Sequence, residues 1–551
     1  MPSSISPPGT RVRTDSLSDN ASLSSEEQQQ QQGKTETSHN AAQGSPSPAG
    51  MKRRHFLLGA SAVSAAAAVG CTARESSPAA EVRRWDRQTD VLIAGSGIAG
   101  IAAAIEARRA GAEVLLLEQL PILGGASAMS GGVSYLGGGT ALQQALGFAD
   151  TPEDMYRYIM GAGPKHPYAD KVQLYCEESA AYFDWLVEQG VPFQSSFTDK
   201  KGLPFGKDSL YYSGNETVYP WNEIARPVPR GHKPGVPDHG GWKLMEVLIA
   251  VAERLGVEIQ TQAGGERLVQ ESDGRVSGIL AEWGGQKQLV RARRGVVLSC
   301  GGFVQNRDMV RLYAPELADL STPWGSAGDM GLGILMGMGA GGTAVRMNQA
   351  LITVPLYQPD NVLRGIVVNR YAQRFMPEDS YHCFLGDLAA QQQERQCYLI
   401  TDADSSYAQP DHRVIPMGQA DTIADIEQLV GFAPGALQGT VAYYNEHAAQ
   451  GQDPLLRKEP KFVAPLVRPP FRAYDLNLVR GFCPHLTFGG LHTGLDGQVI
   501  SVWGEEIPGL YAAGRTASGL PGSPYIASGI SVGDGGFFGR RAGRHAAASR
   551  G

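Results

Sequence analysis

Asp90-Val91-Leu92-Ile93-Ala94-Gly95-Ser96-Gly97-Ile98-Ala99-Gly100 decides how this chain begins to fold. Asp90 to Ala94 is a short apolar run that reads as a buried strand, and Ile101 to Ala110 reads as a helix. Between them stands G-x-G-x-x-G, in the strand–turn–helix setting that a dinucleotide-binding turn requires. Gly95 permits the tight turn, Gly97 lets backbone approach a pyrophosphate, and Gly100 lets helix and strand pack closely. Ile98 and Ala99 begin the helix, whose N-terminus attracts the anionic phosphates. Gly111 breaks that helix. Glu113 to Leu117 then reads as a second strand ending at Glu118, placed to bind the hydroxyls of an adenosine ribose.

Outward from this turn, the 551 residues include 70 glycines, about one in eight, with no period-three repeat. Hydrophobic residues make up 42% and charged residues 19%, so most of the chain is globular, and its length fits two domains or one large interrupted domain. Net charge is −7, from 48 basic and 55 acidic residues, with no basic block in the folded part, which argues against nucleic acid as a partner. The six cysteines form no CxxC and no metal-ligand spacing, so neither a zinc site nor a disulfide scaffold is expected.

Residues 1–50 are rich in Ser, Pro, Gln and Asn and are expected to be a disordered tail. Residues 51–85 read as a signal and linker. Lys52-Arg53-Arg54 precedes a small-residue apolar run to Gly70, the pattern of a twin-arginine export signal. The run is too short and alanine-rich for a membrane span. Export to the periplasm or cell envelope is the expectation, with a cytoplasmic location if the signal is unused. Membrane contact would come only through the signal or a lipid on Cys71. A start at Met51 rather than Met1 would suit such a signal.

Past Glu118, Gly124-Gly125-Ala126-Ser127-Ala128-Met129-Ser130-Gly131-Gly132 is small and rich in backbone, suited to wrapping a long flat cofactor. Gly295 to Phe303 reads as a buried strand ending in a turn at Gly302. Gly328 to Gly333 opens a helix, with Asp329 as its N-terminal cap. Gly509 to Gly514 reads as a last strand, followed by a helix from Ser531 and Val532. Thr151-Pro152-Glu153-Asp154 begins another helix, and Met245 to Leu255 a further one ended by Gly256.

These stretches, in this order over roughly residues 88–548, resemble the superfamily of FAD-dependent fumarate reductases and 3-ketosteroid dehydrogenases. The resemblance implies an α/β fold. A Rossmann-like FAD-binding domain (86–343 and 478–551) is interrupted by an α+β substrate cap domain (344–477). It also implies non-covalent FAD touching the glycine turns, Glu118, Ser127, Ser130, Gly302, Asp329, Gly514, Ser531 and Val532.

Dicarboxylate reductases of this superfamily hold two carboxylates with Arg and His. At the matching positions this chain has His382, Leu486 beside His485, and Tyr525. Tyr525-Ile526-Ala527-Ser528-Gly529 resembles the loop in which a Tyr hydroxyl and a Gly amide polarise a steroid ketone, a two-donor site that stabilises the developing enolate. Tyr381 resembles the proton-abstracting tyrosine. An ordinary tyrosine is a poor base at neutral pH, so His382 or Ser528 would have to assist it. Tyr212 to Glu216 and the run from Gly533 to Gly543 resemble the Δ4-forming branch, although Ala527 stands where some of those enzymes have serine and Arg515 where an acid is usual. Tyr135, beyond the flavin segment, is left open between facing substrate and packing in the core. The implied reaction is desaturation of a 3-ketosteroid, Δ4 rather than Δ1, by α-proton removal and β-hydride transfer to the flavin. The electron acceptor is unidentified and the oligomeric state is not given. The alternatives are a fumarate- or urocanate-like enoate reductase and a non-catalytic flavin-binding protein.

Overall fold

A computed structural model describes residues 84–550, apart from 166, 201–205, 355, 357–359 and 408–413. The expected tail (1–50) and export signal, with Cys71, lie outside the described residues.

Strands Arg87–Ala94, Val114–Leu117, Gln286–Leu298 and Glu506–Ala512 carry the apolar runs found in the sequence. They lie side by side in parallel, with Glu258–Gln260 beyond Val114–Leu117 and Gln498–Ile500 antiparallel on the other edge. Parallel strands covered on both faces must be apolar throughout, and Val91, Leu92, Ile93, Val296, Val297 and Leu298 are all fully buried. The long strand Gln286–Leu298 also pairs antiparallel with Val276–Trp283, which extends the sheet through a hairpin to Ala263–Gln270.

The first helix, Ile98–Arg109, is buried almost all round. Its partner is the last helix, Ile530–Ala548. The two axes come close because glycines face alanines: a Cβ on Gly539 would overlap the Ala99 carbonyl, and one on Gly543 the Ala103 carbonyl. Helix starts and stops follow local chemistry. Thr151 accepts the Asp154 amide at 3.0 Å, with Pro152 as the first residue of helix Pro152–Ala162. Helix Gly241–Arg254 runs four residues further toward its N-terminus than the expected start at Met245.

Between residues 344 and 477 a second, antiparallel sheet has the order Ile366–Asn369, Cys397–Thr401, Phe471–Asp475, Ile415–Ala420. Helices Ile423–Val430 and Ala436–Ala448 share a separate apolar core with it, built on Ile366, Ile400, Leu437 and Ala473. Helix His382–Ala390 lies against the strand Ala350–Ile352, which pairs with Pro484–Thr487. That short sheet links the chain entering the segment with the chain leaving it. Among the described residues no helix is long and apolar enough to cross a membrane.

Candidate active site

The first turn closes on itself and on the segment that follows. Ser96 donates to Glu118 Oε2 from its amide (3.0 Å) and from its hydroxyl (2.6 Å), and Leu120 donates its amide to Oε1 at 2.9 Å. The Ser96 hydroxyl oxygen in turn accepts the Gly124 amide at 3.0 Å, and Ser127 Oγ accepts the Ile98 amide at 3.1 Å. Ile98 therefore spends its amide on Ser127 rather than offering it to a phosphate.

These loops line one cavity of about 680 Å³. Gly95, Gly97, Ile98, Ala99, Glu118, Gly125, Ala126, Ser127 and Ser130 to Gly132 form one part of the wall, and Gly514, Ser531 and Val532 another. Three expected contacts stand behind the wall instead. Gly100 packs against the Gly95 carbonyl, so closely that a Cβ would overlap it, and Gly124 packs against Ala128 and Met245. At the third strand's turn the wall is Gly301, while Gly302 gives its amide to Asp329 Oδ1 at 3.2 Å.

Asp329 does line the cavity, but it caps no helix. Helix Leu332–Gly339 starts after Gly331. The Asp329 carboxylate is taken by the Gly302 and Ser326 amides and by Arg515, whose Nη2 lies 2.7 Å from Oδ2. Asp329 lies two residues before Gly331, which stands in the N-cap place, and its carboxylate is held instead by a tertiary cation and two loop amides. Arg515, where the family pattern has an acid, is ion-paired here. The wall as a whole is mostly exposed backbone beside a helix N-terminus, with one carboxylate at the end of the second strand. That donor set fits a dinucleotide, and Gly97 presents no side chain to obstruct it.

The same cavity continues to the residues expected to do chemistry. Tyr381 immediately precedes helix His382–Ala390, and Tyr525 to Gly529 form the loop before the last helix. Tyr381 and Ser528 come from positions 147 residues apart and share a 2.8 Å hydroxyl–hydroxyl hydrogen bond. Cys383 Sγ donates to the Tyr381 oxygen at 3.3 Å. The Tyr525 oxygen accepts the Ser531 amide at 3.3 Å, which leaves the Tyr525 proton to donate elsewhere. Its ring stacks on Phe488 at 5.0 Å, and its amide donates to Asp387 Oδ2 at 3.1 Å. Gly529 gives its carbonyl to the Tyr135 amide at 3.1 Å, while its own amide finds no acceptor among the described residues.

Burial pushes the Tyr381 and Tyr525 hydroxyls above the usual tyrosine range, so both keep their protons at neutral pH. His382 lies against Tyr381, ring centroids 4.5 Å apart, and burial lowers its pKa to about 4, so it is a neutral imidazole. Leu486 lines the cavity, with Leu351, Leu356, Leu363 and Leu385 among the apolar wall residues. His485 is turned away, its Nδ1 3.0 Å from the Cys483 carbonyl. Tyr135 does not face the cavity. It is fully buried behind the Gly529 loop, ring to ring with Tyr158. Asp387, Phe488 and Cys383 escaped the sequence reading: Asp387 sits 138 residues from the amide that it accepts, and no local pattern marks such a pairing. Among the described residues no cluster of His, Cys, Asp and Glu could hold a metal.

The FAD binding domain family matches residues 90–532. A solved 3-ketosteroid-Δ4-(5α)-dehydrogenase from Rhodococcus jostii RHA1, in complex with 4-androstene-3,17-dione, is 43% identical with a TM-score of 0.81, covering 85% of this chain and 99% of that one. The 3-oxo-5-alpha-steroid 4-dehydrogenase of Comamonas testosteroni is 28% identical over 517 residues, 78% of this chain and 93% of the relative. The urocanate reductase of Eggerthella lenta is also 28% identical, over 491 residues, 83% of this chain and 74% of the relative. With the glycine-walled cavity and these relatives together, the chain belongs to the FAD binding domain family and is an FAD-dependent oxidoreductase of the group containing fumarate reductases and ketosteroid dehydrogenases.

Proposed function

We propose that this protein desaturates a 3-ketosteroid next to its ketone, forming the Δ4 bond in preference to Δ1. The observation that carries the reading is the meeting, in one apolar-walled cavity, of the Tyr381–Ser528 hydroxyl pair with Tyr525 and Gly529. Tyr525 O–H and Gly529 N–H are two donors able to hold one ketone oxygen. Aimed at the place where charge develops, they favour the enolate and acidify the adjacent C–H. Tyr525 is prepared for this because its oxygen already accepts Ser531 N–H, so its proton is the part left to give.

Tyr381 holds its proton too tightly to act as a free phenolate, so the pair works as a relay. The α-proton lost by the steroid enters at one hydroxyl of the pair, and the proton that it displaces from the other passes out to solvent along the cavity that both line. His382, neutral and packed on the Tyr381 ring, orients the ring rather than charging it. The glycine turns, Glu118 and the Asp329–Arg515 pair would hold FAD without a covalent bond, and FAD bound there would supply the acceptor for the β-hydride. The cap segment, 344–477, covers the steroid. Leu486 and Tyr525, in place of cationic anchors, suit a neutral ketone. A dicarboxylate there would forgo charge-assisted contacts of about 1.5–3 kcal/mol each. The 43% identical relative, itself solved with a ketosteroid, supports the same reading.

The test is anaerobic. The FAD-loaded protein is mixed with a saturated 3-ketosteroid and flavin absorbance is followed; chemically reduced protein is mixed with fumarate and then urocanate. Bleaching by the steroid, with a Δ4-3-ketone as product, is expected. Reoxidation by fumarate or urocanate without steroid bleaching would make the protein an enoate reductase. No response to any of them would leave a flavin binder.

A further inference from the structure

Tyr381 and Ser528 reach the cavity from different parts of the chain, yet their hydroxyls meet at 2.8 Å. A third segment, Ser213 to Asn215, touches the backbone of both. The Ser213 carbonyl accepts the Ser528 amide at 2.8 Å, and Gly214 makes an antiparallel bridge with Ala527. Asn215 Oδ1 accepts the Tyr381 amide at 2.6 Å. On its other side the Asn215 backbone N–H donates to the Tyr158 hydroxyl at 2.7 Å, and that hydroxyl donates to the Ile526 carbonyl at 3.0 Å. Asn215 is therefore bonded directly to Tyr381 and, through Tyr158, to the loop that carries Tyr525, Ser528 and Gly529. Both residues are completely buried (0% and 1% exposed), and neither is part of the cavity wall.

We propose that Asn215 and Tyr158 are positioning residues for the proton-transfer pair, a buried brace that fixes the Tyr381 and Ser528 backbones at the separation where their hydroxyls bond. The proposal rests on the roles given to that pair above. Its physical basis is the short range of a hydrogen bond. An O–H···O contact is lost when the 2.8 Å separation grows by about 1 Å, and misplacement of that size can cost on the order of 10²-fold in rate. Tyr381 begins a helix and Ser528 lies in a loop, so neither is held to the other by an element they share. The brace supplies that link by hydrogen bonds to backbone, independently of what occupies the cavity.

The test uses the FAD-loaded full chain with Tyr158→Phe, Asn215→Leu and Asn215→Asp, read by steroid turnover and by amide hydrogen exchange at Tyr381. Tyr158→Phe keeps the ring and removes both hydroxyl bonds. Asn215→Leu keeps the volume and removes the acceptor, while Asn215→Asp keeps an oxygen facing the Tyr381 amide. Expected are a kcat lower by about tenfold or more in Tyr158→Phe and Asn215→Leu with KM and FAD content unchanged, faster Tyr381 exchange in both, and partial recovery of kcat and protection in Asn215→Asp. Faster exchange with kcat within about twofold of the parent would overturn the positioning role. Unchanged exchange would overturn the brace itself. Should Asn215→Leu not fold, Tyr158→Phe gives the decision on the same two readouts. Exchange needs no substrate, so a protein that turns over no ketosteroid, which sinks the proposed function, still reports on the brace.

Discussion

The Tyr525 hydroxyl carries two jobs on one oxygen: it accepts the Ser531 amide and has its proton left for a ketone. Tyr525→Phe removes both while keeping the ring on Phe488, a stack whose 5.0 Å spacing and 16° tilt depend only on the aromatic faces. The variant should therefore fold and hold FAD. Its turnover of a 3-ketosteroid should fall by about 10²-fold, the usual loss for one oxyanion donor, and mainly in kcat, because the donor matters most once the enolate forms. Steady-state kinetics beside the flavin spectrum check this. Turnover within a few-fold of the parent would take Tyr525 out of the mechanism. The same residue shows how far sequence reaches at this scale. Its spacing from Gly529 and the helix start placed it at the site, whereas Asp387 and Phe488, which hold its amide and its ring, come from remote positions that carry no local mark.

Among the elements, the crossing of helix Ile98–Arg109 with helix Ile530–Ala548 bears directly on the cofactor, because Ala99 and Gly535 belong both to this crossing and to the cavity wall. Gly543→Ala would drive a methyl group into the Ala103 carbonyl. Neither backbone can yield without moving its helix, so an overpacking cost of about 1–3 kcal/mol is expected, with weaker FAD retention. Gly439→Ala is the contrasting case. That glycine is exposed in helix Ala436–Ala448 with nothing within 4 Å of an added methyl, so the change should be neutral or stabilising. Thermal unfolding and FAD occupancy of the two variants check the pair; equal effects would mean that the crossing tolerates separation. Elements such as Asp90–Ala94 and the Thr151 helix start were legible because their cause is local: an apolar run, a hydroxyl, a proline. Asp329 was misread as a cap for the opposite reason. The helix starts later than its sequence suggests, with Gly331 two residues on in the N-cap place, and Arg515, 186 residues away, and two loop amides hold the carboxylate. His485 and Tyr135, open in the sequence between core and site, lie off the cavity: closeness to a motif does not say which face of a strand meets it.

Across the whole molecule, one buried pair ties together four distant stretches of chain. Lys171, in helix Ala169–Glu188, donates from Nζ to Thr493 Oγ1 at 2.8 Å and to the Ser518 carbonyl at 3.3 Å. Asp534, in the last helix, accepts the Leu520 amide at 2.9 Å and is the main charged group attracting Lys171. Both hold the start of the strand of loop that ends at Tyr525. Burial raises the Asp534 carboxyl to about 6 and lowers the Lys171 ammonium to about 8. Between about pH 4 and 6 the folded state keeps the Asp534 proton that the unfolded chain has released, so this group's stabilising contribution declines as pH rises through that window and is gone above it. Lys171 works in the other direction: between about pH 8 and 10.5 the unfolded chain keeps a proton that the folded one releases, so stability from this group rises with pH there. The pair is thus least favourable between about pH 6 and 8, near neutrality, where both groups are ionised in a dry interior. Asp534→Asn keeps a carbonyl for Leu520 and cannot ionise. Relative to the parent it should gain stability as pH rises from about 4 to 7, on the order of 2–3 kcal/mol at about 1.4 kcal/mol per pKa unit, the attraction of Lys171 being already contained in the position of that carboxyl. Urea unfolding of both proteins at intervals across that range measures it. A stability difference that stays constant with pH would show that Asp534 does not titrate in the folded protein, and a difference moving the opposite way would mean that Lys171 holds the carboxylate ionised despite its burial.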